Sequence, residues 1–380
     1  MNSPILKYIF PVLVVLFSCS EKRNQAISLK NDAPQLSIKH ANAFDIKYLD
    51  GYKIVTLKTP WQGNSEPITY VLRNRHTPIN DSISSLGQEI VVPIERLICN
   101  STSQIILLKE LGVLESLVGF PQTHYIYSPD IKERVKAGDI AEVGVESNLN
   151  VETILSLDPD MVMAFNTGRE DRQLKKLKEL GIPVVINADY METSALGRAE
   201  WIKYMAVFFD EEVEAEAYFQ KVESNYDSLK RIVKKRNDQN IMSGSLYGGS
   251  WYMPGGNNYG SLFMQDAGGN YLWADNENVG WLNLSFELVF ERANAANIWI
   301  GMGSLASLQE LTDADERYAD FKAFKNKMVY SYVNRVNEQG ANDYFESGTI
   351  RPDLVLADYI KMINPELLPE HELYYFKQLE

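Results

Sequence analysis

The chain has 380 residues, with 51 acidic and 37 basic side chains and a formal net charge of −14. Hydrophobic residues make up 45% and charged residues 23%, the balance of a folded chain of roughly two domains, which excludes wholesale disorder. The charge argues against a nucleic-acid partner or an anionic lipid surface, and two cysteines with four scattered histidines exclude a disulfide framework or a Cys-rich metal site.

Lys7 precedes an apolar run from Tyr8 to Phe17 that is broken only by Pro11. The run is shorter than the about 20 residues that span a bilayer, and residues 1–18 read as an export signal. It ends in Leu16-Phe17-Ser18-Cys19, which resembles a bacterial lipobox, with Phe17 in place of the usual small or medium residue. That resemblance implies that Cys19 becomes the lipid-modified first residue of the mature chain; cleavage elsewhere by ordinary signal peptidase would discard it. Residues 19–36 are polar without an apolar period and read as a tether.

Residues 37–89 form a β-rich extension. Phe44, Ile46 and Tyr48 alternate, Asp50-Gly51 supplies a turn, and Tyr52, Ile54 and Thr56 alternate again, a strong hairpin signal. From residue 90 the rhythm becomes β-α-β-α. Strands are expected at 96–99, 117–120, 161–164 and 182–186, with helices at 104–111, 150–157 and 169–180 between them. Asn100 to Ser103 cap the first helix and Gly112 stops it. Strands separated by helices imply a parallel sheet covered on both faces, here an N-terminal lobe over 90–193.

Residues 194–237 read as a helical linker with a break at Asp210-Glu211-Glu212. Val213, Ala217, Val222, Tyr226, Leu229 and Val233 then suggest one apolar stripe on a helix of about 25 residues, about 37 Å long. A second α/β lobe follows over 238–380. Its expected strands are 241–246, 297–300 and 327–331. Its expected helices are 261–266, one capped by Ser285, and 351–363 with Pro352 in its first turn. Leu149-Asn150-Val151-Glu152 and Leu284-Ser285-Phe286-Glu287 open matching helix–strand units in the two halves. A glutamate at each helix start is also what the helix dipole favours.

The signal and lipobox, the strand–Ser101-Thr102–helix opening, the run from Asn150 to Val162 (N-x-E-x-I-L-x-L-x-P-D-x-V) and the long connecting helix together resemble the substrate-binding proteins of ABC importers for iron–siderophores, haem and cobalamin. The resemblance covers about residues 90–364. The stretches 251–258, 335–337 and 342–348 resemble a lipoprotein branch from Bacteroidetes-type bacteria that carries a similar β-rich extension. The resemblance implies an α/β fold of two Rossmann-like lobes joined by a long backbone helix, with the ligand between them. It implies a monomer on the periplasmic side of the envelope that meets a membrane through its lipid only. The implied partners are an ABC permease and its ATPase, and the implied ligand is a metal chelate or corrinoid. It also implies that Glu152 and Glu287 dock on permease arginines, although Ala296-Asn297 replaces the Pro-Asp that normally follows the second helix. No catalytic group, resident cofactor or protein metal ligand is expected.

Ligands in open α/β sheets bind beyond the C-terminal ends of strands. That places Ser101 and Thr102 on the cleft, where their hydroxyls either bind a ligand oxygen or cap the helix. Tyr125 lies in the next such loop. The glycine-rich segment 248–260 suggests Trp251, Tyr252 and Asn257 as a flat aromatic and polar wall, extended by Trp281. Arg335 is a candidate for a ligand carboxylate or phosphate, or else pairs internally with Asp343 or Glu346. Tyr344 lies in the same cluster, and Glu346 is the expected partner of Arg351. Gly301 to Ala306 fits G-x-G-x-x-A but lies late in the chain and carries no weight as a dinucleotide site. The rival reading is an extracytoplasmic lipoprotein that uses the same lobes as an enzyme or as an accessory partner of an outer-membrane receptor.

Overall fold

The computed structural model describes residues 34–380 apart from 50, 65, 147, 167, 169, 170 and 235–237. The signal, the lipobox cysteine Cys19 and most of the tether lie outside the described residues. Leu36 is already buried in the core of the first lobe.

The extension is a four-stranded sheet of β1 (Phe44–Leu49), β2 (Tyr52–Leu57), β3 (Ile68–Asn74) and β4 (Gln88–Val92), with helix α1 (Asp81–Ser84) before its last strand. Alternation buries Phe44, Ile46 and Tyr48 on one face. That face shares one core with the first lobe: Phe44 meets Trp201 edge-on at 4.9 Å and Tyr204 at 5.2 Å.

The first lobe contains β5 (Leu97–Cys99), α2 (Thr102–Glu110), β6 (Leu117–Phe120), α3 (Pro129–Ala137) and β7 (Ala141–Glu142). After a hairpin of β8 (Gly144–Val145) and β9 (Asn148–Leu149) come α4 (Val151–Ser156), β10 (Met161–Phe165), α5 (Arg172–Glu179) and β11 (Val184–Asn187). Its main sheet is parallel throughout, in the order β11-β10-β5-β6-β7. An edge strand leaves every second N–H and C=O unpaired. On β11 those groups are covered by the extension and the linker. Ile186 N donates to the Tyr70 hydroxyl at 2.9 Å, and the Tyr204 hydroxyl donates to Ile186 O at 2.8 Å. The Gln88 amide, turned to satisfy both groups, spans Val184 N and O at 3.3 Å each.

The linker comprises α6 (Ala195–Ala199), α7 (Trp201–Ala206) and α8 (Glu212–Ile232). It clamps the chain leading into the extension. The Glu200 carboxylate accepts from the N–H groups of Lys39, His40 and Ala41, and Glu192 accepts from those of Asn42 and Ala43. Helix α8 has 21 residues and is about 31 Å long. Ala215, Phe219 and Val222 belong to the first core, Tyr226 to the second, and Leu229 and Val233 pack against the second. The helix therefore passes from one lobe to the other. The expected stripe is out of phase in its first two turns: Val213 is 56% exposed and Ala217 is exposed, while Ala215 and Phe219 face inward. The step of five between Ala217 and Val222 marks the slip, because a helical face repeats at three and four.

The second lobe begins with β12 (Asn240–Ser243), β13 (Ser245–Tyr247), β14 (Ser250–Pro254), α9 (Tyr259–Asp266), β15 (Asn270–Tyr271), β16 (Trp281–Leu284) and α10 (Phe286–Ala293). It continues with β17 (Ile298–Ile300), α11 (Leu308–Ala314), α12 (Lys322–Lys325) and β18 (Val329–Ser331), then α13 (Asp343–Glu346), α14 (Pro352–Ile363) and β19 (Lys377–Gln378). The main sheet runs β15-β12-β17-β18-β19, parallel except for β19. The expected single strand over 241–246 is two strands hinged at Gly244, which has φ +81° and a Cβ position only 1.9 Å from Tyr252 O. No side chain fits there, and the chain turns out of the parallel sheet into the antiparallel sheet β13-β14-β16.

A second connection crosses between the lobes. After β18 the chain returns to the first lobe, where Ile350 joins the first core. The Glu346 carboxylate accepts from Tyr127 N at 2.7 Å, from Ser128 N at 3.1 Å and from the Ser128 hydroxyl. The expected pair of Glu346 with Arg351 does not form. Asp353, two residues beyond Arg351, takes that guanidinium at 2.9 and 3.1 Å, which leaves Glu346 to cap the start of α3. Among the described residues no helix is long and apolar enough to cross a membrane.

Candidate functional site

The two sheets point the C-terminal ends of their strands at a common cleft, which contains two cavities. The larger, about 820 Å³, lies at the ends of β5, β6 and β10 in one lobe and of β17 and β18 in the other, with Tyr125, Phe165, Ser304 and Tyr332 among its walls. The smaller, about 440 Å³, lies toward the linker, between Asp189, Arg198, Tyr259, Trp281 and Tyr344. Ser101, Thr102, Phe165 and Phe345 line both. Phe345, on the returning segment, is 52% exposed and stands between the two spaces.

Ser101 occupies the N-cap position of α2, yet its side chain makes no capping bond; its hydroxyl lies 3.0 Å from that of Ser103. Of the two roles open to Ser101 in the sequence, the geometry leaves the hydroxyl on the cavity. Thr102 stands beside it. Tyr125 lines the larger cavity at 49% exposure, with its ring 4.2 Å from that of His124. Trp281 forms the rim of the smaller cavity at 61% exposure, and Tyr344 forms its wall, stacked on Tyr332 at 4.8 Å.

Four other candidates lie elsewhere. Trp251 is 0% exposed in the second core, stacked on Trp299 at 5.5 Å, and its Nε1 donates to Ser243 O at 3.0 Å. Two of the glycines that suggested an open loop, Gly248 and Gly249, are the turn of a hairpin, at φ +56° and +83° between β13 and β14. Strand alternation then sends Trp251 inward and Tyr252 outward. Tyr252 lies on the outer face of the small sheet, where Asn283 Nδ2 donates to its hydroxyl at 3.2 Å. Asn257 is exposed and donates to Glu277 O at 3.3 Å; its neighbour Asn258 reaches the smaller cavity instead, as the cap of α9. Arg335 pairs internally, with Nε 2.6 Å from Asp343 Oδ2 and its guanidinium over Tyr374 at 4.3 Å. Tyr252, Asn257 and Arg335 line neither cavity.

Glu152 and Glu287 occupy equivalent places in the first turns of α4 and α10, both exposed. The Glu287 carboxyl is held below the ordinary glutamate range by its own backbone N–H and the Ser285 side chain, with a smaller contribution from Arg317. Several cavity residues escaped the sequence reading, Arg198, Phe345 and Gln62 among them. Arg198 lay within the expected linker. Phe345 lay in a polar cluster whose charged members drew attention. Gln62 comes from the extension, which has no sequence period linking it to the cleft.

Residues 97–336 match the periplasmic binding protein family, and the chain belongs to it. An uncharacterized lipoprotein of Methanocaldococcus jannaschii is 29% identical over 320 residues, covering 81% of this chain and 75% of its own. Among solved structures, a possible iron-binding periplasmic solute-binding protein of Staphylococcus epidermidis superposes with a TM-score of 0.56 at 21% identity, over 72% of this chain and 100% of that one. The periplasmic vitamin B12-binding protein of Vibrio cholerae gives a TM-score of 0.51 at 17% identity, over 73% and 99%. These structural likenesses show the two-lobed fold. Periplasmic binding proteins hold solutes rather than transform them.

Proposed function

We propose that this protein is the substrate-binding lipoprotein of an ABC importer, anchored through Cys19 on the periplasmic side of the envelope. It captures an iron chelate, siderophore or haem, or a corrinoid between its lobes and passes it to a permease and its ATPase. The observation that carries this reading is the cavity of about 820 Å³ at the strand ends of both lobes, walled by Tyr125, Phe165, Tyr332 and Phe345. Apolar, aromatic-walled space of that size at a topological switch point suits a bulky, partly apolar guest. Glu152 and Glu287, one on each lobe in matching positions, are the docking points for the permease. Domain limits of 90–193 and 238–380 for the lobes, with 194–237 between them, fit this division of labour.

The test is titration of the purified chain with a ferric trihydroxamate, a ferric triscatecholate, haemin and cyanocobalamin, read by tryptophan emission and calorimetry. Saturable one-to-one binding of one class is expected. Saturable binding of none of them overturns the proposal.

A further inference from the structure

The N-terminal extension reaches the cleft through Trp61 and Gln62, which follow β2. Gln62 is exposed and stands on the wall of the smaller cavity. Trp61 is half-buried and forms its seat. The indole lies directly against Gly168, beyond the C-terminal end of β10. A Cβ at Gly168 would collide with the Trp61 ring, and Gly168 holds φ +88°, so glycine is the residue that admits the indole.

Tyr190 carries this seat into the cleft. Its hydroxyl donates to Asn166 O at 3.0 Å and accepts from the Gln62 backbone N–H. Its ring meets Phe165 edge-on at 4.9 Å, and Phe165 lines both cavities. The bonds from Tyr70 and Gln88 to β11 hold the same extension at the sheet edge. The extension is therefore a fixed part of the wall.

The charges on that wall are already answered. Arg198 lies 3.6 Å from Asp189 and over the Tyr259 ring at 4.7 Å. Glu192 accepts from the N–H groups of Asn42 and Ala43 and from Trp201. In the larger cavity the charged side chain among the described residues is an acid, Glu146. What the smaller cavity still presents among the described residues is neutral: the Gln62 amide and the hydroxyls of Ser101 and Thr102. A side-chain amide both donates and accepts, so it pairs with another amide or a carbonyl. An ionised group placed there would lose its hydration with no free opposite charge to replace it.

We infer that the N-terminal extension is part of the ligand site, with Trp61 as its seat on the first lobe and Gln62 as a contact to an uncharged, amide- or carbonyl-bearing edge of the guest. This rests on reading the cleft as the ligand site and narrows the guest to a neutral chelate or corrinoid.

The experiment uses the full chain with two neutral, amide-bearing probes, ferrichrome and cyanocobalamin, and two anionic ones, haemin and a ferric triscatecholate. Wild-type protein is expected to bind one of the neutral probes at least tenfold more tightly than either anionic one. Gln62→Trp, which fills the rim, should weaken that probe at least tenfold, and Gln62→Ala should weaken it severalfold. Both should leave the urea midpoint unchanged, because the Gln62 side chain is exposed. Trp61→Ala should weaken the same probe and speed amide exchange at Asn166 and Gly168. Should Trp61→Ala fail to fold, the two Gln62 variants carry the test. Preference for an anionic probe, or neutral-probe binding untouched by both Gln62 variants, overturns the inference and leaves the importer reading standing. Binding of none of the four probes by wild-type protein overturns both.

Discussion

Glu346 and Ser128 are 218 residues apart in the chain, yet the Glu346 carboxylate accepts from both the backbone N–H and the hydroxyl of Ser128. The bond ties the end of one lobe's sequence to the start of a helix in the other and closes a second link beside α8. A cleft spanned by two links opens less freely than one hinged on a single helix. Replacing Glu346 with Ala leaves the Tyr127 and Ser128 N–H groups without their acceptor, at a cost of about 1–3 kcal/mol. Urea denaturation at neutral pH checks this, and an unchanged midpoint would show that the link contributes nothing.

The same residue gives a pH signature. Burial raises the Glu346 carboxyl above its ordinary value, against the pull of three donors. A folded-state pKa above the unfolded one means that the native state holds the proton more firmly. The contribution is full below the ordinary glutamate value and fades as pH rises through the folded value. Relative to Glu346→Gln, which does not titrate, wild-type stability should therefore decline as pH rises above the ordinary glutamate value of about 4.5. A pH-independent difference between the two proteins would contradict the assignment.

Two tryptophans separate core from cleft. Trp251→Ala removes a fully buried ring stacked on Trp299 and should cost about 3–5 kcal/mol. Trp281→Ala, at the rim, should cost less than about 0.5 kcal/mol while changing the emission response to ligand. Denaturation curves and fluorescence titrations on the same preparations distinguish the two.

Tyr70→Phe removes the acceptor for Ile186 N on the edge strand of the first lobe. A stability loss of about 1–3 kcal/mol is expected, with faster amide exchange at Ile186. Unaltered exchange there would show that the extension does not seal the sheet edge.

Changing Glu152 and Glu287 to Ala together should leave ligand affinity and folding intact and lower uptake in cells by at least tenfold. Normal uptake by the double variant would remove these residues from the docking role.

The β-α rhythm of both lobes was legible because their buried strands are short apolar runs bounded by Asn, Ser, Gly and Pro. The hairpin over Phe44 to Thr56 was legible from its alternation. The cleft was legible only in part. Ser101 and Thr102 lie just past the end of β5, and Tyr125 lies in the loop that follows β6, so topology alone places them. Trp251 misled because glycines on both sides suggest a loop, whereas Gly248-Gly249 turns a hairpin whose pleat points the indole inward. Arg198 and Gln62 were hidden because no local period records that a helical linker and an N-terminal sheet converge on one cavity. Arg335 and Glu346 were recognisable as charged groups in need of partners, but the partner of Glu346 lies in the other lobe.

The most direct test of a guest held between the lobes is amide hydrogen exchange of the full chain with and without whichever chelate or corrinoid saturates it in the titrations. Protection is expected at the same ligand concentration around Ser101 and Thr102 in the first lobe, around Ser304 and Tyr332 in the second, and at Phe345 between them. Saturating ligand that protects one lobe alone, or only surface outside the cleft, would contradict the account.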